Sequence, residues 1–388
     1  MLKKSKLFFS MNLSYYYLLG KLKFSHVILS QNVRNKLPVG WNFKMFWTAF
    51  KTGGTRIYND YYSEMKEPKS FKPKTKVAPP FKLSEKELQF FYENGYVGPF
   101  DLVSPQEAEQ LKQHLIKSIL PSESKTWKYE FEEKSGIADD LFPDSKEEEL
   151  TPAYKKSIMS HVNKTNRHFD SEQLLNIFQK PEIVERSAQL LGPDLLLWRS
   201  DCFEVPGKKE GTPWHQSSNW LLHNMRESVV NPPNNEELFQ LTCWIALTDA
   251  NKDRGCMKVI PGTHKKMYPL IVNRDPNGIN DLYRYDKGRI DFPFEKATEQ
   301  LIEAKAGQFF LFSERVIHGS VSNSTDESRW AVNCRIGKTN TRFYTKNMFK
   351  QGHQITYHKL KNVSLHKWKA ILLRGEDKYG YNKLLNQK

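Results

Sequence analysis

From Leu195 onward the chain is a train of short β-branched and aromatic runs, LLLWRSDCFEV, LFQLTCWIALTDA, CMKVIP, GQFFLFS and RWAVNCRIG. They are cut by the turn-forming stretches NKDRG, PGTH and STDES. Several strands at this spacing predict a jelly roll with the preceding helices packed on its outside. The expected fold is therefore mainly β with flanking helices around a double-stranded β-helix, a jelly-roll or cupin-like core.

The helices are announced by their ends. Ser84 with Glu87 fits a capping box, and Gly95 would stop the helix that follows. Ser104, Pro105 and Glu107 repeat the start signal for a helix to about Ser118, and YVGPFDL between the two reads as a short strand. A third helical region covers Ser171 to Leu191, interrupted at Pro181 and closed by Gly192. The acidic stretch Glu130 to Glu149, broken by Gly and Pro, reads as a surface loop.

Charge is unevenly placed. The chain carries a net charge of +15, but residues 1–80 hold 15 Lys/Arg against 3 Asp/Glu. The body is left nearly neutral, which speaks against nucleic-acid binding by it. Residues 1–82 are basic and aromatic-rich and end in a Lys/Pro linker, so three segments are expected: this extension, a jelly-roll domain with N-terminal helices at 83–345, and a polar C-terminal extension at 346–388. The extension reads as an organelle-targeting peptide, a docking arm for an acidic partner, or a poorly ordered appendage. Cys202, Cys243, Cys256 and Cys334 form no CxxC pair and fall in apolar runs, the pattern of reduced, buried thiols in an intracellular protein. No apolar run is long enough to span a bilayer. The expected location is cytoplasmic, with organelle targeting by the basic N-terminus as the alternative.

Within this frame, the stretch GTPWHQS sets up a metal site and leaves out one of its usual ligands. A histidine followed two residues later by an acid, with a second histidine about a hundred residues on, is the trace of the two-His-one-carboxylate iron triad. Here His215 has its distant partner in His318, but the acid is replaced by Ser217. Serine is neutral and a weak ligand, so a metal held here would keep a position open to an exogenous anion. Both histidines sit at strand ends, whereas His264 follows a PGT turn that it would cap, and His353 and His358 lie in a polar tail. Beyond His318 come Arg329 and Arg335 on the next strand. A buried arginine needs an anion, which would be a carboxylate such as the far end of a 2-oxo acid, or an internal salt bridge.

The segments FYENGYVGPFDLVSPQE, NRHFDSEQ, PEIVERSAQLLGP, LLLWRSDCF, EGTPWHQS, WIALTDANKDRGCMKVIPGTH and AGQFFLFSERVIHGS resemble, in order from about Phe90 to Arg335, the phytanoyl-CoA dioxygenase superfamily. They look most like its Fe(II)/2-oxoglutarate-dependent aliphatic halogenases, the chlorinases of syringomycin and barbamide biosynthesis. In those enzymes the triad acid is usually Ala or Gly, and chloride takes the vacated iron position.

The resemblance implies His215 and His318 as iron ligands and Ser217 as the vacated halide position. It implies Arg329, Thr212 and Trp244 around 2-oxoglutarate, Arg335 in a water network near the halide, and Phe203 lining an apolar halide pocket. The implied cofactors are Fe(II), 2-oxoglutarate and chloride, with O2 as cosubstrate, and the implied substrate is a small molecule, free or tethered to a carrier protein. Ser217 departs from the pattern, being bulkier and more polar than Ala. A 2-oxoglutarate-dependent hydroxylase and a non-catalytic relic of such an enzyme are the competing readings.

Overall fold

The computed structural model describes the chain apart from residues 1, 23, 31–32, 34–36, 39, 60–62, 67, 69, 127–128, 132–162, 217–228, 274–287, 356–359 and 386–388. Ser217, His223, His358 and nearly all of the acidic stretch between Glu130 and Glu149 therefore lie outside the described residues.

In chain order the elements that matter are α1 (Leu2–Lys21), α2 (Phe43–Lys51), β1 (Arg56–Asn59), α3 (Glu85–Asn94), β2 (Tyr96–Asp101), α4 (Pro105–His114), α5 (Glu172–Phe178) and α6 (Pro181–Leu191). They continue with β3 (Leu195–Val205), β4 (Gln240–Ala246), β5 (Met257–Ile260), β6 (Leu270–Asn273), β7 (Gly288–Ile290) and β8 (Gln300–Ile302). The last are β9 (Gln308–Phe312), β10 (Ile317–Ser320), β11 (Arg329–Lys338) and β12 (Ile371–Arg374). The helix ends obey the sequence signals: both capping boxes form, Gly95 caps α3 in the left-handed region at φ 88°, and Pro181 opens α6 after a break. Helix α4 passes into a single π-helical stretch at Leu115–Ile119, which carries it to about the expected length.

The expected mainly β architecture with flanking helices is observed. A six-stranded sheet runs in the order β12-β3-β11-β4-β9-β2, and a three-stranded sheet in the order β8-β5-β10. Every pairing in both is antiparallel. Side chains alternate across the larger sheet. On one face Leu241, Cys243, Ile245, Phe309, Leu311 and Val332 pack against Leu88, Phe91, Leu111, Leu174 and Ile183 of the helices. On the other, Trp244, Ala246, Phe310, Phe312 and Ala331 meet Met257, Val259 and Ile302 of the smaller sheet. Coverage on both faces is why CWIA and FFLF within these strands are consecutive apolar residues rather than alternating ones. All four cysteines are buried free thiols, as the sequence indicated, and Cys243 lies opposite Cys334.

The two ends of the chain are built into this body. Residues 1–82 contain α1 and α2, and β1 pairs with β6, to which β7 adds, in a further antiparallel sheet. Leu13, Trp41, Met45, Ala49, Tyr58 and Ile271 form its small core. Within 346–388, β12 adds the edge strand beside β3, and buried Trp368 donates from Nε1 to the Trp198 carbonyl at 3.1 Å.

Candidate metal centre

His215 and His318 are brought together by the backbone. They form an antiparallel bridge in which each amide donates to the other's carbonyl at 2.9 Å, extending the smaller sheet past β10. The flanking glycines make this approach feasible. A Cβ on Gly319 would stand 2.6 Å from the Thr212 carbonyl oxygen, and one on Gly211 would stand 2.2 Å from that of Ser320. Thr212 is exposed, and its amide donates to the Ser320 hydroxyl at 2.7 Å while its carbonyl accepts from the Ser320 amide at 2.9 Å.

The two rings lie with centroids 4.2 Å apart. Each imidazole is oriented the same way: Nδ1 of His215 donates to the Pro213 carbonyl and Nδ1 of His318 to the Val316 carbonyl, both at 2.8 Å. A carbonyl can only accept, so Nδ1 carries the proton in each ring and Nε2 keeps the lone pair that a metal requires. Burial lowers the His215 pKa, as does the Arg335 charge, against the opposing Pro213 bond. Burial, His215 and Arg335 push that of His318 well below the usual range. Both rings are therefore neutral at neutral pH, the protonation state of a ligand. Among the described residues no group of three His, Cys, Asp or Glu side chains is placed to hold a metal, so the pair stands there without a third protein ligand.

The register of the larger sheet supplies the floor beneath the pair. Directly opposed residues share a face, which puts Arg199, Arg335, Thr242 and Phe312 in one row and Asp201, Asn333, Trp244 and Phe310 in the next. The His318 ring meets Phe312 edge-on at 4.8 Å, placing the imidazole pair over the first row. Phe203, half-buried opposite Ala331, lies on this same face.

Arg329 has the features of a candidate anion site. It is 2% exposed, donates from Nε to the Gly255 carbonyl at 3.0 Å, and has its guanidinium 5.4 Å from the Trp244 ring centre. Its Nη1 is buried without a hydrogen-bond partner among the described residues. Burial lowers its pKa to about 10, which leaves it charged at neutral pH. A fixed buried cation with an unused N–H fits the carboxylate of a 2-oxo acid better than the internal salt bridge that was the alternative. The residues present thus fit both a divalent metal with imidazole preference and a carboxylate cosubstrate.

Three features near the pair were missed from sequence. Gln216 is buried and braces the His215 strand: Nε2 donates to the Lys266 carbonyl at 2.8 Å and to that of Arg315, and Oε1 accepts from the Tyr268 amide at 2.9 Å. Its position immediately after His215 was the available signal. Asp201 pairs with Arg199 at 3.1 Å; burial would raise its pKa, but Arg199, Arg335 and Thr165 hold it below the usual range. Glu314 is wholly buried in the turn before His318, with neither oxygen hydrogen-bonded among the described residues, and burial pushes its pKa up to about 7. A charged pair, Glu314 and Arg315, inside the apolar run FFLFSERVI was the clue. His264 is structural, with Nε2 3.1 Å from the Tyr92 carbonyl of α3.

Comparison with known proteins places these residues in a wider group. The family model described as Phytanoyl-CoA dioxygenase (PhyH) matches residues 91–331. The peroxisomal phytanoyl-CoA dioxygenase of Bos taurus is 24% identical over 266 residues, 67% of this chain and 70% of its own. The phytanoyl-CoA dioxygenase domain-containing protein 1 of Danio rerio is 24% identical over 280 residues, 64% of this chain and 87% of its own. Among solved structures, CytC3 with Fe(II) and alpha-ketoglutarate shares the fold with a TM-score of 0.52 at 23% identity, over 79% of this chain and 94% of that one.

Proposed function

The chain belongs to the phytanoyl-CoA dioxygenase family, and from that premise we propose that it is an Fe(II)- and 2-oxoglutarate-dependent enzyme that uses O2 and chloride to halogenate an unactivated aliphatic carbon. The observation that carries this reading is the coupling of two oriented, neutral imidazoles with Ser217 in place of the triad acid. The facing antiparallel sheets, with His318 on the smaller one directed at Phe312 on the larger, support a double-stranded β-helix as the scaffold.

In this reading His215 and His318 hold Fe(II) through Nε2. Arg329, backed by Trp244, takes the distal carboxylate of 2-oxoglutarate, and Thr212 flanks that cosubstrate. Arg335 orders water near the halide, Phe203 lines the halide pocket, and Ser217 marks the position left to chloride. Bound iron with 2-oxoglutarate and O2 supplies the oxidising power to attack an aliphatic C–H bond. The chain contributes placement and charge. Two neutral ligands leave room in the charge balance for a dianionic cosubstrate plus one halide, which a carboxylate at 217 would oppose. Substrate position then decides the outcome, and packing on the inner sheet face sets it. The substrate class is a small molecule, free or carrier-tethered, and the location cytoplasmic, with organelle targeting by the basic N-terminus as the alternative.

The test is anaerobic titration of the apo protein with Fe(II) and 2-oxoglutarate, with and without chloride. A visible charge-transfer band that chloride shifts or sharpens is the expected result. A band indifferent to chloride would favour the second reading, a hydroxylase of the same family in which the Ser217 hydroxyl holds a metal-bound water. No band from folded protein would indicate a non-catalytic relic.

A further inference from the structure

The feature that the chemistry leaves unexplained is the surface of the N-terminal helices. Among the described residues, most of the exposed large apolar side chains fall between Leu7 and Trp47. On α1 the exposed set is Leu7, Phe8, Met11, Tyr15 and Leu18, with exposed Leu22 just past its end. At about 100° per residue these occupy a single stripe, covering roughly a third of the helix circumference. The opposite side of α1 is already used: Ser10 and Leu13 are buried, and Leu13 joins Met45, Ala49 and Trp41 in the small core, with Phe9 and Tyr17 against it. The stripe thus faces away from the body. Helix α2 adds exposed Phe43 and Trp47, stacked with centroids 6.1 Å apart.

The segment that carries this apolar surface has charge of one sign. Residues 1–59 contain ten Lys or Arg and no Asp or Glu. Two of the ammonium groups are held against aromatic rings, Lys21 at 5.1 Å from Tyr17 and Lys51 at 5.0 Å from Trp47. A second copy of the chain would bring the same positive charge to its own stripe, and a nucleic acid offers no apolar volume for the stripe to enter. A bilayer with anionic headgroups satisfies both features, taking up the leucines and aromatics below the headgroups and pairing the lysines with lipid charge. Among the described residues no helix is long and apolar enough to span, and the contact in question is a peripheral one.

We infer that α1 and α2 form a docking face for an anionic membrane surface. The face is tied to the rest of the chain: β1 pairs with β6, Lys44 bridges to Asp291 at 3.1 Å, and Tyr58 donates to the same carboxylate at 3.1 Å.

The experiment is co-sedimentation of the full chain with vesicles of phosphatidylcholine alone and of phosphatidylcholine with phosphatidylserine, at low and high salt. The expected result is capture by the serine-containing vesicles, weaker capture by the neutral ones, and release as salt rises. Met11→Glu with Leu18→Glu, both on the exposed stripe, should weaken capture about tenfold or more, with Fe(II) uptake and circular dichroism unchanged. The inference is overturned if folded wild-type protein stays in the supernatant, or if neutral and anionic vesicles capture it equally. It is also overturned if the double variant binds like wild type, or if its only effect is to break a dimer that forms without vesicles.

Discussion

His215 and His318 exchange both of their backbone hydrogen bonds, at 2.9 Å in each direction, and this alone places two imidazoles side by side from segments a hundred residues apart in the chain. The candidate metal site is thus a property of strand pairing, and the variants that test it should include ones that leave the histidines in place.

Gly319→Ala is such a variant. Its Cβ would stand 2.6 Å from the Thr212 carbonyl oxygen, so the His215 strand must move away from β10. The expected outcome is weaker Fe(II) binding with a stability loss of about 1–3 kcal/mol, read by metal titration and by thermal unfolding of the apo protein.

His318→Ala and Arg329→Ala should separate metal from cosubstrate. The first should abolish the ferrous 2-oxoglutarate band. The second should leave Fe(II) binding intact and weaken 2-oxoglutarate by roughly 2–5 kcal/mol, the cost of breaking a buried charge pair. Equal loss of Fe(II) in both variants would contradict the assigned division.

At position 217, Ser217→Ala should preserve the response to chloride, since the hydroxyl contributes at most a hydrogen bond of about 0.5–1.5 kcal/mol. Ser217→Asp should abolish it, because a carboxylate two residues after His215 competes for the same metal position. Chloride-dependent spectra of the three proteins, and product analysis once a substrate is found, decide the matter.

Gln216→Leu removes the donors to the Lys266 and Arg315 carbonyls and the acceptor for the Tyr268 amide. Leaving buried backbone groups unpaired costs about 1–3 kcal/mol. Chemical denaturation should show that loss, and Fe(II) affinity should fall with it because His215 loses its brace.

Glu314 predicts a pH dependence. Its folded pKa, about 7, lies above the ordinary carboxylate value, so the folded state holds a proton that the unfolded state gives up. Stability is then fully present below about pH 4 and is lost as pH rises to about 7, by on the order of 3 kcal/mol in total. Glu314→Gln should flatten that slope in the apo protein and raise stability above pH 7; an unchanged profile would place the titration elsewhere.

What the sequence determined alone is whatever local physics writes into neighbouring residues. Ser84 with Glu87 and Ser104 with Glu107 fix helix starts because each box closes within one turn. The apolar runs of β4 and β9 mark covered strands because both faces of each are packed. Histidine spacing, together with the glycines of EGT and HGS, singled out the two histidines that the fold brings together. Tertiary structure decided the rest, since its causes lie far apart in the chain. Only the register of β3, β11, β4 and β9 puts Asp201 beside Asn333 and Trp244, and Arg335 beneath the imidazoles. Only the meeting of α1 with α2, and of β1 with β6, turns a basic, aromatic-rich opening that lacks clear periodicity into a packed element. Helix α1 is apolar on two opposite sides, so no single amphipathic period can show in its sequence; packing alone decides which side is buried and which is left exposed.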